Sequence, residues 1–69
     1  MSDLVARFRH AAGTHEEAAM RHDQAAEYWD SKGQLERAGF ERRNAKIERD
    51  AAQLERERAA FEESRVAGA

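Results

Sequence analysis

The sequence has no cysteine, no proline and only four glycines in 69 residues, and its aromatic side chains are three Phe, one Tyr and one Trp. Without cysteine there is neither a disulfide framework nor a thiolate metal site. Without proline, and with Val, Ile and Thr scarce, the composition argues against strands and for helix. Charge of one sign is also lacking: 12 basic against 14 acidic residues leave a net charge of −2, so a bulk electrostatic grip on nucleic acid is not expected. No apolar run is long enough to cross a bilayer, and there is no secretory signal pattern. These absences predict a soluble, cytoplasmic, all-α protein. A chain this short gains only about 3–5 kcal/mol from one core and needs a further support, which leaves helix packing, oligomerisation or a histidine site.

What is present is a beat of seven. Residues 4–31 divide into LVARFRH, AAGTHEE, AAMRHDQ and AAEYWDS. The fifth position of each block is Phe8, His15, His22 and Trp29; the first two are small or aliphatic. On a helix the fifth position lies about 40° from the first and the second lies about 100° from it. The rings are therefore expected along the middle of a core-facing stripe with small residues on both flanks. The phase holds across Gly13, which predicts one helix over about 3–31. Thr14 with Glu17 also fits a capping box, so a separate short helix over 3–12 is the alternative.

The phase slips at residues 30–33. Gly33 suits a left-handed helix end, and Ser31 with Gln34 fits a capping box; either gives a short connection and antiparallel neighbours. A second helix is expected over about 34–65, with residues 66–69 frayed. Within it Phe40, Ile47, Leu54 and Phe61 form a bulky line like the d positions of a coiled coil, with Asn44 and Ala51 beside it. Ala38, Ala45, Ala52 and Ala59 form a second line about 160° away. One neighbour cannot cover both. Either the alanine line faces water, or the first helix packs closely on one line and another chain covers the other. The simplest closure is a symmetric dimer making a four-helix bundle.

His22, Ala25, Ala26, Trp29, Gly33, Leu35, Ala38 and Ala45 are spaced so that residues 22–45 resemble one tetratricopeptide-type helical hairpin, with Arg42 standing where that pattern has an aromatic. The resemblance implies a hairpin and a protein-binding habit, and it carries over no ligand residues. Such repeats need about three copies for stability, and one is present.

Candidate chemistry is sparse. His15 and His22 share a face but lie about 10 Å apart along one helix, too far to share an ion, and the Glu-x-x-His pattern of di-iron bundles is missing. They are expected to be part-buried packing residues whose protonation weakens assembly near pH 5–6; a histidine metal bundle is an alternative. Arg42, Lys46, Arg49 and Arg56 align as the one basic stripe, the candidate face of a dimeric nucleic-acid-binding regulator, although Glu41, Glu48 and Glu55 interleave with it. No nucleophile–base set, phosphate loop or paired carboxylates is found. The sequence therefore predicts a non-enzymatic, self-associating interaction module without cofactor or metal. Its expected homodimer or partner interface is Phe40, Ile47, Leu54, Phe61, Trp29 and Phe8.

Overall fold

The computed structural model describes residues 3–68, apart from the Val66 side chain. Two helices, α1 (Asp3–Ser31) and α2 (Leu35–Gly68), pack side by side as an all-α antiparallel hairpin. α1 is unbroken. Thr14 does not cap a new helix; its hydroxyl donates to the His10 carbonyl at 3.2 Å, one turn back. α2 continues past Arg65, where fraying was expected, to Gly68. No glycine or proline interrupts residues 65–67, and Arg65 places a cation in the last turn, favourable to the helix dipole. Ala69 lies outside the described residues.

Of the two turn chemistries, the glycine one is used. Gly33 has φ +72°. The Gln34 amide donates to the Trp29 carbonyl at 2.9 Å, and the Gly33 amide donates to Asp30 at 3.0 Å, which is the Schellman pattern. Ser31 is drawn backward instead of capping α2: its hydroxyl donates to the Tyr28 carbonyl at 2.6 Å. A side chain is disfavoured at Gly33 by backbone geometry alone, whereas at helical Gly13 an added Cβ meets nothing within 4 Å. Gly33→Ala is therefore expected to cost about 1–2 kcal/mol, and Gly13→Ala to gain about 0.5–1 kcal/mol. Urea midpoints of the two variants should move in opposite directions.

The core is a seam of small residues. Val5, Ala12, Ala19 and Ala26 of α1 meet Ala38, Ala45, Ala52 and Ala59 of α2, and Ala38, Ala45 and Ala52 are 0% exposed. The alanine line of α2 therefore faces α1 and not water. This also corrects the reading of α1. The second position of each seven, not the ring-bearing fifth, lies at the centre of the contact. The physical reason is mutual: helix separation is set by the side chains between the axes, and two rows of methyl groups bring the backbones too close for rings to fit. Phe8, His15, His22 and Trp29 are displaced to one edge, where they are half-buried. A buried methyl is worth roughly 0.8 kcal/mol, so a seam without leucine or phenylalanine specifies the pairing more than it stabilises it.

The outcome is a rod, 55 × 13 × 9 Å, with a radius of gyration of 15.9 Å, against about 11 Å for a compact domain of this length. Its accessible surface is 5248 Å², while about 4,400 Å² is expected for a compact 7.9 kDa monomer, a surplus of about 800 Å².

Candidate interaction surface

Charge ladders flank both sides of the seam. On one side Arg9, Glu16, Asp23 and Asp30 of α1 pair in order with Glu63, Arg56, Arg49 and Arg42 of α2. The sign reverses between the first and second rungs on both helices, so only this antiparallel register joins opposite charges at every rung. These side chains are about half exposed, and each such pair contributes at most about 1 kcal/mol. Their value lies in fixing register.

The other side carries the displaced rings. His15 Nδ1 lies 2.6 Å from Glu48 Oε2, and His22 Nδ1 lies 2.6 Å from Glu41 Oε2. Each Nδ1–H donates to a carboxylate, which fixes either the Nδ1-protonated tautomer or the doubly protonated ring. At the ends, Arg58 lies over the Phe8 ring at 5.6 Å and Arg37 over the Trp29 ring at 4.7 Å. Both imidazoles are thus half-buried, as expected, and each is tied to α2 through a carboxylate.

The basic stripe is dispersed by the same ladders. Arg42, Arg49 and Arg56 are each joined to an α1 carboxylate, and Lys46 Nζ lies 2.9 Å from Asp50 one turn along. A phosphate would have to compete with a carboxylate at all four. His15 and His22 occupy separate rungs, and no group of three or more potential metal-ligating side chains converges among the described residues.

The face of α2 that points away from α1 carries no such ladder. Phe40, Ile47, Leu54 and Phe61 are 59%, 63%, 49% and 61% exposed. Seven residues apart, they run about 30 Å along the helix. The structure thus brings four of the six expected interface residues onto one stripe. Phe8 joins it at one end, lining a hollow of about 360 Å³ with Glu57, Arg58, Phe61 and Glu62. Trp29 does not join it; that ring stays at the turn, edge-on to Tyr28 with centroids 5.1 Å apart. At the other end of the stripe, a hollow of about 370 Å³ is lined by Glu36, Gly39, Phe40 and Arg43.

Two residues that sequence reasoning passed over border the stripe. Arg43 lies over the Phe40 ring at 5.6 Å. Among the described residues, neither Arg43 nor Glu57 has an ion-pair partner within the chain. Both sit three residues after a member of the bulky line, and that spacing was the signal available in the sequence.

No helix among the described residues is long and apolar enough to cross a membrane. No family model, curated protein or solved structure matches the chain.

Proposed function

We propose that the protein is a non-enzymatic helical interaction module that self-associates through the outer face of α2, forming a four-helix bundle from two hairpins. The observation that supports this reading most is the stripe of Phe40, Ile47, Leu54 and Phe61, which remains exposed after the hairpin has closed on its alanine seam. A contiguous apolar stripe on a soluble surface marks an interaction site, and this one repeats with the coiled-coil period. The protein-binding habit implied by the resemblance of residues 22–45 to a tetratricopeptide-type hairpin points the same way, although α2, at 34 residues, runs far beyond that unit.

Light scattering on the purified chain is expected to give twice 7.9 kDa at micromolar concentration, with a thermal midpoint that rises with concentration, as linkage requires of an associating fold. A 7.9 kDa species with a concentration-independent midpoint would refute the reading.

A further inference from the structure

We infer that the partner on this stripe is a second copy of the chain laid antiparallel along α2, with the twofold axis passing near residues 50 and 51. The inference rests on the self-association proposed above and adds its register. Three features of the surface carry it.

The stripe reads the same from either end: aromatic, aliphatic, aliphatic, aromatic. Turned end for end about residues 50–51, it sets Phe40 against Phe61 of the second copy and Ile47 against Leu54. A twofold interface demands this self-complementarity.

The hollows obey the same symmetry. The one beside Phe61 and the one beside Phe40 are of similar size, about 360 and 370 Å³, and the twofold brings each over the other. Glu57 lines the first and Arg43 the second.

The charges agree. An antiparallel twofold brings the same flank of each helix together, so Arg43 faces Glu57 of the second copy, and the pair occurs twice. The like charges that this arrangement also brings near one another are already engaged within each chain: on the opposite flank Glu41 and Glu62, and Glu48 and Glu55, approach across the axis, and they are held by His22, Arg65, His15 and Arg58. Asp50, close to the axis, is held by Lys46. Arg37 is turned onto Trp29, and Arg65 is turned onto Phe61 and Glu62. A parallel pairing would instead set each flanking residue against the one five places on in the second chain, so Arg43 would meet Glu48, already engaged by His15, while Asp50 would meet Glu55 and Glu57 would meet Glu62.

The test is a charge exchange read by sedimentation equilibrium. Arg43→Glu alone and Glu57→Arg alone are each expected to weaken dimerisation about tenfold, since each places like charges in contact at two symmetric sites. The combined Arg43→Glu/Glu57→Arg chain should return to within about threefold of the native constant. Both positions are exposed and outside the alanine seam, so helical circular dichroism should remain unchanged and separate the effect from misfolding. A dimer in which the exchange gives no rescue overturns the antiparallel register while leaving self-association standing. A native chain that is monomeric overturns both.

Discussion

Leucine in place of Ala45 is expected to abolish the folded hairpin at 25 °C. Ala45 is 0% exposed and lies between Ala38 and Ala52 in the row that meets α1. Three added carbon atoms have no hollow to enter, so the helices must separate along the seam. Overpacking typically costs about 1–3 kcal/mol, and more where the backbone must move. A chain of this size has only about 3–5 kcal/mol to lose. Helical circular dichroism should collapse, or the urea midpoint should fall toward zero. The control is Ala60→Leu, one residue beyond the seam and exposed, which is expected to stay within about 0.5 kcal/mol of the native chain. An Ala45→Leu protein as stable as the control would mean that α1 does not lie on the alanine row.

Aspartate at both Ile47 and Leu54 is expected to weaken the proposed dimerisation by at least about a thousandfold, because the proposed twofold interface would lose four aliphatic side chains, each worth about 1.5–3 kcal/mol when fully buried. It would also gain four carboxylates near the axis, where Asp50 already stands. Neither position touches the seam, so the substitution attacks association without overpacking the hairpin. Light scattering should give the single-chain mass at concentrations where the native protein is double. The thermal midpoint should fall and lose its dependence on concentration. Retention of the native mass by this variant would place the contact on another face, with α1, where Met20 and Tyr28 are exposed, as the next surface to substitute.

The hairpin itself was legible in the residues. α1 could be bounded because its seven-residue phase crosses Gly13 without slipping, and a glycine on an outward face costs too little to break a helix of 29 residues. The turn was legible because Gly33 is the residue that accepts a positive φ where the phase changes. Which line of α2 would meet α1 was not legible from α2, since the alanine row and the bulky row share one period. The deciding signal lay in both helices together. Arg9, Glu16, Asp23 and Asp30 read as the inverse of Glu63, Arg56, Arg49 and Arg42, and that match selects the alanine face. The rings of α1 misled because size normally marks the core, whereas here close backbone approach excludes size. The candidate surface was half legible. Its apolar members stood out by spacing; Arg43 and Glu57 carry the same spacing, three residues after Phe40 and Leu54, but stand apart from the other charges only once those have found partners inside the chain.

The ladder has a further consequence for how such a protein changes length. Rung positions recur every seven residues on both helices, and the second to fourth rungs share one polarity, so an inner segment can be excised with the remaining rungs still matched. Removing 16–22 together with 43–49 would bring His15 opposite Glu41 and Asp23 opposite Arg56, with the seam still alanine on alanine and the rod about 10 Å shorter. Insertion would lengthen it by the same step. The hairpin is thus a ruler with uniform graduations, and its span can drift by duplication or loss of a unit while the rule that closes it stays the same.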